Sequence, residues 1–483
     1  MNLHFSKEIS IYRNDLPHKI YARIDWIDDI DEETVIIGLD AVSVKSAEQA
    51  FKTASNTEWS IRWSEAFKAP GEHRSLATEL FNELQLYHIE IRQHRKEAEL
   101  IKEKGAFNSS SLGWMTIDMN RSEKPNDIPA SVFNGLFSNA MQGYIASIQA
   151  VELGLAESLM AVFSMRSWPK TSIQSLNSEL PNVEASYWAA YDVGQGSANG
   201  LLKSNGQVTL FHDIGCGVYR NASTRPPNLL LCNSHEAPII LSHWDTDHWA
   251  GARCFAPSSR PNTFLHRTWI APYDLTIGPK HIAFAASILS AGGKLILVQT
   301  EAIKTQSYTL TDGRILKLIR GSGDDRNGAG IAMEILNFPE NWQRWLLTGD
   351  VSYEHLTPHI CESYLAMSVP HHGSRLDPSA NVPFPVRTQG YARLIYSFGA
   401  DNSFRHPKPD CVIEHERAGW AHTDWVPHSK IAKGIVGGDV TATACHHPGP
   451  SHLGAILVGW NGPPITPRFP CCNTQCNASL MQG

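Results

Sequence analysis

Short apolar runs separated by polar turns dominate the chain from residue 186 onward. The runs are only a few residues long and rich in β-branched and aromatic side chains, which is typical of strands. We predict strands at Tyr187–Val193, Val208–Ile214, Ile239–Ser242, Leu295–Val298, Ile315–Ile319, Ile331–Leu336, Trp345–Leu347, Leu365–Val369, Leu394–Phe398 and Ala455–Trp460. Several runs end in Gly, Asp or His. Polar residues gathered at strand ends indicate a layered α/β fold with a site at one edge of its sheets.

The pattern before residue 180 is different and favours helices. Leucines and an isoleucine within residues 72–104 fall near a period of 3.6, and a second helical stretch is predicted over residues 128–165. Residues 1–60 mix short β-like runs, at Ile20–Ile24 and Thr34–Leu39, with polar turns. We find no catalytic constellation in this region. It is predicted to be a helical scaffold or a surface that docks a protein partner.

Charge and histidine are unevenly distributed, and the change falls near residue 180. Residues 1–180 hold 18 Lys and Arg against 25 Asp and Glu, whereas residues 181–483 hold 23 of each, and 17 of the 22 histidines lie after residue 180. The polar stretch 175–186 is typical of a linker. We predict an acidic, mostly helical accessory domain over 1–180, a second domain over 181–465 and a cysteine-containing tail over 466–483. Phosphate binding needs clustered cations, so the acidic part is a poor DNA clamp.

Targeting signals and membrane spans are not predicted. The first 20 residues carry charges throughout, and the most apolar stretch, 144–165, is broken by Gln149, Glu152 and Glu157. Most of the nine cysteines are scattered singly, which fits reduced thiols. We therefore predict a cytoplasmic protein with no membrane partner. Two interpretations of the cysteine-rich end stay open, an exposed reduced tail or a small zinc site built from Cys445, His446, His447, Cys471, Cys472 and Cys476.

The densest chemical motif is LSHWDTDHWAG at 241–251. His243, Asp245 and Asp247 alternate, so an extended chain places them on one side, and His248 joins them after a turn. Four nitrogen and oxygen donors this close repel one another unless cations lie among them. A pair of divalent metal ions explains the cluster. The alternative is a polar loop that uses Asp and His as caps.

Four more strand ends carry similar residues. LLTGD (346–350) ends in Asp350, and VPHHGS (369–374) carries His371 and His372. YDVGQGSA (191–198) and FHDIGCG (211–217) are glycine-rich strand ends that each contain an aspartate. Ligand-type residues at so many strand ends favour one shared site.

The order of these motifs resembles that of the metallo-β-lactamase-fold hydrolases. DVGQG, an aspartate-glycine turn, HxDxDH, GD, HHGS and HP follow one another, and RNGAGIAMEIL (326–336) and NSFRHPKP (402–409) match the ComEC-type subgroup, the soluble domain at the end of the competence DNA-uptake channel. The resemblance covers about residues 186–460 and implies an αββα sandwich with two divalent metal ions. The uptake channel has no counterpart here.

The resemblance also implies a role for each motif residue. His243 and Asp245 would hold one metal, Asp247 and His248 the other, and Asp350 would bridge them. One of His371 and His372, with His372 preferred, would complete the second metal. Asp213 would orient the ligand loop. Gln195, Ser374, Asn402 and His406 would line the substrate groove, and a free histidine of the HHGS–HP region would protonate the leaving oxygen.

Two departures from the family pattern concern the metals. The family at large has histidine where this chain has Asp245, and a carboxylate there favours Mn²⁺ or Mg²⁺ beside Zn²⁺. The family's separate third-motif histidine has no clear counterpart, and His266, His281 or a water could take its place. Ser197 stands where the ComEC subgroup usually has an acid, which affects substrate preference.

Together these features predict a metal-dependent hydrolase, most simply a phosphodiesterase or nuclease acting on nucleic acid or a nucleotide-type substrate. A metal-bound hydroxide would attack, with Asp247, His371, His372 and His406 as the catalytic residues. Two alternatives stay open. One is an esterase of the same fold with a different substrate. The other is a subunit of a multi-protein, bacterial defence-type complex whose residues 1–180 dock a partner.

Overall fold

The fold is described from a computed structural model. It describes residues 2–5, 16–68, 70, 76–171, 176, 178–180, 182–226, 231, 236–254, 264–299, 304–338, 343–421, 438–444, 455–464 and 480–482. The predicted zinc-site cysteines and histidines at 445–447 and 471–476 lie outside these ranges. Among the described residues no helix is both long and apolar enough to cross a bilayer.

The chain divides into two compact units, and the division is not a simple cut. The first unit contains Met1–Pro169 together with Asp274–Leu295, and the second contains Lys170–Tyr273 together with Ile296–Gly483. Residues 274–295, which lie within the predicted second domain (181–465), therefore belong to the first unit.

The first unit is built on a closed six-stranded barrel with the order β1-β2-β3-β5-β6-β4. Its strands are β1 (Lys19–Asp29), β2 (Thr34–Ser43), β3 (Leu86–His94), β4 (Met115–Asn120), β5 (Ile128–Phe133) and β6 (Met141–Ala150). Its helices are α1 (Val44–Thr53), α2 (Asn56–Lys68), α3 (Leu76–Glu83), α4 (Arg95–Gly105), α5 (Leu153–Phe163) and the helix Pro279–Ser290. Alternate strand residues such as Ile37, Leu39, Ile89 and Ile91 fill the barrel core.

The prediction that residues 1–180 are mostly helical is wrong. Residues 72–104 hold the two helices α3 and α4 with strand β3 between them, and residues 128–165 hold β5 and β6 before α5. Strand β3 pairs with β2 along its whole length and with β5 on its other side. Ile89 and Ile91 alternate into the core, so the period-2 pattern outweighs the leucine spacing that favoured a helix.

The outer face of the barrel carries a buried polar cluster. Asp40 and His88 are paired residues of β2 and β3, and both are buried. Lys280, on the helix Pro279–Ser290, forms a buried ion pair with Asp25 of β1, and its backbone N–H donates to Asp40 at 3.1 Å. His281 lies 2.7 Å from Asp25. These contacts connect residues 274–295 to the barrel.

The second unit consists of two mixed sheets and short helices. Its longer sheet has the order β12-β11-β10-β9-β8-β7-β22-β23 and the other has the order β13-β14-β15-β16-β18-β20-β21, with a small β17-β19 pair. The strands are β7 (Tyr187–Ala190), β8 (Ala198–Leu202), β9 (Val208–Ile214), β10 (Ile239–Ile240), β11 (Thr268–Pro272), β12 (Lys294–Val298), β13 (Thr305–Thr309), β14 (Ile315–Arg320), β15 (Ile331–Asn337), β16 (Gln343–Leu347), β17 (Ser363–Tyr364), β18 (Ala366–Ser368), β19 (Phe384–Pro385), β20 (Arg393–Tyr396), β21 (Val440–Ala442), β22 (Ala455–Val458) and β23 (Leu480–Gln482). The helices are α6 (Thr246–Trp249), α7 (Gly251–Cys254), α9 (Tyr353–Leu356) and α10 (Pro409–Arg417), with α8 the helix Pro279–Ser290 of the first unit.

The two sheets of the second unit share one apolar core. Trp188, Leu210 and Ile240 of the longer sheet belong to the same buried cluster as Met333 and Trp345 of the other. Sheets that share a core in this way pack face to face. This mixed α/β arrangement agrees with the layered fold expected from the apolar runs, each of which overlaps a strand.

Candidate metal centre

Three strand ends of the second unit deliver the polar motif residues to one place. The loop after β10 carries His243 to His248, the turn after β16 carries Asp350, and the turn after β18 carries His371 and His372. Strands β16 and β18 are parallel neighbours, so their carboxyl ends lie side by side.

Glycine permits the close approach of these turns. Gly349, directly before Asp350, has a φ of +56°, and a Cβ there would lie 2.7 Å from the Cβ of Ser242. Gly215 has a different constraint, because a Cβ there would lie 1.6 Å from the carbonyl oxygen of Asp247. Larger residues at either position would push the loop 242–248 away from the neighbouring turn.

The two histidines of the HHGS motif adopt an unusual backbone conformation. His371 has φ 47° and ψ 46°, and His372 has φ 55° and ψ 16°, so both lie in the left-handed region. Such residues are strained by about 1–2 kcal/mol each. The amide of Ser374 donates to the His371 carbonyl at 2.8 Å and closes the turn. Strain of this kind persists where surrounding contacts hold the turn for a functional arrangement.

One group of donor atoms surrounds the Oδ1 atom of Asp350, and we call it the inner position. His248 Nε2 lies 3.1 Å from that oxygen, and His372 Nε2 lies 3.6 Å from it. Asp247 completes the group, with Oδ2 3.3 Å from His372 Nε2 and Oδ1 4.0 Å from His248 Nε2. Donors bound to one ion at about 2.0–2.3 Å are separated by distances of this size. The inner position therefore has the donor spacing of a cation site.

A second group faces the other oxygen of Asp350, and we call it the outer position. His243 Nε2 lies 3.7 Å from Asp350 Oδ2 and 3.6 Å from Asp245 Oδ2. His371 Nε2 lies 3.7 Å from the same Asp350 oxygen. The two oxygens of Asp350 thus face two different sets of donors.

The outward sides of three imidazoles are fixed by hydrogen bonds. His248 Nδ1–H donates to Asp213 Oδ2 at 2.8 Å, and His372 Nδ1–H donates to the Ser397 carbonyl at 2.7 Å. His243 Nδ1–H donates to Ser242 Oγ at 2.9 Å, and that hydroxyl donates in turn to Asp213 at 2.8 Å. Each bond places the proton on Nδ1 and leaves Nε2 as a lone pair. All three rings therefore present an acceptor atom to the centre.

Those inward atoms are what a bound cation would satisfy. Nε2 of His243, His248 and His372 and Oδ1 of Asp350 are buried and make no hydrogen bond within the described part of the chain. Buried polar atoms without partners are costly, so clustered acceptors of this kind fit a positively charged ligand. The residues present thus fit divalent metal ions.

The electrostatics of the centre also favour a bound cation. Burial alone would lower the pKa of His248, but the carboxylates of Asp350 and Asp213 outweigh it and raise that pKa well above its usual range. The pKa of His372 is raised against burial by Asp350 and Asp247. Burial opposes ionisation of Asp350, yet His248 and His372 hold the pKa of its carboxyl well below the usual value. The centre attracts positive charge, which protons supply when no metal ion is bound.

Arg326, the first residue of the RNGAGIAMEIL motif, is a charged neighbour of Asp245. Its Nη1–H donates to Asp245 Oδ1 at 2.8 Å, and the side chains of Arg326 and Asp245 are only 8% and 10% exposed. Asp245 therefore directs one oxygen to a guanidinium and the other toward His243.

Two of the predicted substrate-groove residues, Gln195 and Asn402, contact His406. The Gln195 side-chain amide N–H donates to His406 Nδ1 at 3.4 Å, and the amide's orientation is set by Gly399 N–H, which donates to Gln195 Oε1 at 3.3 Å. Asn402 accepts from the His406 backbone N–H at 3.0 Å and donates to its carbonyl at 2.7 Å. The rings of His406 and His371 lie 5.6 Å apart. Ser374 is half-buried in the same turn as His371.

The sequence left the third-motif histidine position open between His266, His281 and a water. His281 lies in the first unit beside Asp25, and His266 is exposed. His371 faces the Oδ2 atom of Asp350 instead. Sequence reasoning also missed Ser242, the Ser397 carbonyl and Arg326. The RNGAGIAMEIL motif contained Arg326 but gave it no role.

Comparisons with known proteins add little to this geometry. No family model matches the chain, and no curated protein matches its sequence. Among solved structures it is similar to the metallo-β-lactamase fold protein YhfI from Bacillus subtilis, at 12% identity and a TM-score of 0.32, over 53% of this chain and 96% of that chain.

Proposed function

We propose that the second unit is a metal-dependent hydrolase of the metallo-β-lactamase fold that cleaves phosphodiesters. The observation that carries the proposal is the convergence of buried atoms of His243, His248, His372 and Asp350 that make no hydrogen bond within the described part of the chain. The two packed sheets and the order of the sequence motifs support the fold. The phosphodiester substrate rests on the resemblance to the ComEC-type subgroup.

The donor groups assign residues to two cations. Asp247, His248 and His372 would hold one at the inner position, and His243, Asp245 and His371 would hold the other, with Asp350 shared. When bound, such ions lower the pKa of water toward neutrality and stabilise negative charge on a phosphoryl group. Asp213 would keep His248 and the Ser242 hydroxyl oriented toward this role.

His406 is suited to protonate the leaving oxygen. Because Gln195 donates to Nδ1, that nitrogen is the acceptor, and the ring proton resides on Nε2. Gly399 prevents the Gln195 amide from flipping, since its N–H already donates to Oε1. His406 therefore holds a transferable proton at Nε2, close to the turn that carries His371.

Metal binding and hydrolysis test the proposal together. We expect the purified protein to bind Mn²⁺ or Zn²⁺ and to cleave bis(p-nitrophenyl) phosphate and labelled single-stranded DNA or RNA. Asp350→Asn should lose both properties, because one carboxylate serves both positions. Asp410→Ala, which removes an exposed carboxylate of the same unit, is the matched control.

Three outcomes are informative. A folded wild-type protein that binds no divalent cation would overturn the proposal. Binding combined with cleavage of carboxylate esters alone would move the substrate to the esterase alternative. Binding without turnover of any ester would favour a role that depends on a protein partner.

A further inference from the structure

We infer that Arg326 makes the two cation positions unequal, so that the inner position fills first and the outer position fills second and more weakly. The inference rests on the proposed metal centre and concerns the order and affinity of its filling. It follows from the ion pair between Arg326 and Asp245, together with the different supports of the histidines on the two sides.

The inner position has the stronger donors. His248 is supported by a carboxylate at Nδ1 and His372 by a backbone carbonyl, and such acceptors raise the basicity of the opposite nitrogen. Both rings are almost fully buried, with side-chain exposures of 0% and 3%. Rigid, basic donors in a site closed to water favour tight binding of the first ion.

The outer position has weaker donors. His243 is supported at Nδ1 by the Ser242 hydroxyl, which is a poorer acceptor than a carboxylate. The His371 side chain keeps 29% exposure, so water competes for its contacts. Asp245 offers one oxygen toward His243 while the other accepts from Arg326.

The charges around the two positions also favour filling of the inner position first. The Arg326 guanidinium is permanently positive and neutralises Asp245 at a distance of 2.8 Å. A divalent ion entering the outer position therefore meets a carboxylate whose charge is already balanced, and it is repelled by the arginine itself. Asp247 of the inner position faces the imidazoles of His372 and His248 instead. Arg326 thus supplies positive charge on the side where the second metal would otherwise supply it.

Titration with Mn²⁺ alone tests this directly. We expect wild-type protein to bind two equivalents in separate steps by calorimetry, with electron paramagnetic resonance changing from an isolated-ion to a spin-coupled signal at the second step. Arg326→Met should tighten the second step by about tenfold or more, because the repulsion between the guanidinium and the incoming ion is lost, and should leave the first step unchanged. Arg326→Lys, which keeps the charge, should retain most of the separation.

The control is Arg314→Met, since Arg314 also pairs with an aspartate, Asp312, in the same unit. An unaltered first step shows that each variant is folded, and Arg326→Gln replaces the methionine variant if that protein is unstable. A second step that is unchanged or weaker in Arg326→Met would overturn the inference, as would wild-type binding in two equal steps. A folded wild-type protein that binds no Mn²⁺ would instead overturn the proposed metal centre.

Discussion

Replacement of Asp247 by alanine is the most direct test of how the centre works. Asp247 is one of four groups at the inner position, together with His248, His372 and Asp350. Its removal leaves that position with a single shared carboxylate. We expect hydrolysis to fall by about 10²-fold or more, because the lost charge stabilisation develops mainly in the transition state.

The stability change should be small, and this separates the catalytic role from a structural one. Asp247 lies in the first turn of α6 and its side chain is 21% exposed. Loss of the contact between this partly exposed carboxylate and His372, 3.3 Å away, costs about 1 kcal/mol. Relief of repulsion with Asp350 offsets part of this in the metal-free protein. The melting temperature should therefore change by no more than about 2–4 °C.

The assay is cleavage of bis(p-nitrophenyl) phosphate with Mn²⁺ beside a melting curve of the metal-free protein, with Asp410→Ala as the control. Normal turnover by a folded Asp247→Ala protein would refute the assignment of this residue to the inner cation. A large drop in melting temperature would show that Asp247 supports the fold instead.

Three further predictions concern groups that support the centre or the two units. Asp213→Asn should weaken Mn²⁺ binding by about 10–100-fold, because the amide cannot accept from His248 and Ser242 as the carboxylate does; calorimetry measures this, and unchanged affinity would contradict it. Lys280→Met should lower the free energy of unfolding by about 3–5 kcal/mol in urea, since it leaves Asp25 charged and buried, whereas Lys45→Met on α1 should have little effect. Burial lowers the pKa of His415 to about 4, so the unfolded chain binds a proton between pH 6.5 and 4 that the folded protein excludes, and stability falls by about 3 kcal/mol over that interval. His415→Gln should reduce this acid sensitivity in melting curves, and an identical pH profile would contradict the reasoning.

Ten strands of the second unit could be predicted because each carries a short apolar run between turns, whereas β8, β11, β13, β17, β19, β21 and β23 were not predicted. The barrel could not, because Leu76, Leu80 and Leu84 fit a helix while β3 begins only at Leu86. Its strand identity depends on pairing with β2 and β5, which local spacing does not show. The helix Pro279–Ser290 was missed for a similar reason. Its partners Asp25 and Asp40 lie more than 200 residues away along the chain, so only the folded structure shows why Lys280 is buried.

The residue types of the donors could be predicted from the sequence, because a carboxylate or imidazole at the end of a buried strand has few other roles. Their arrangement was not. Which of His371 and His372 faces Asp247 depends on two consecutive left-handed residues, a conformation that the sequence HHGS does not specify. The pairing of Arg326 with Asp245 joins residues 81 positions apart.

Asp350 connects these local arrangements into one centre. Its Oδ1 faces His248 and His372, and its Oδ2 faces His243 and His371. A charge drawn to one oxygen therefore changes the electrostatic field at the other, at a distance of only a few ångströms. Arg326 acts on this shared system from the Asp245 side, and Asp213 acts on it from the His248 side. The affinity of each position for a cation consequently depends on charges that contact only the other position. A list of donor residues does not contain those charges.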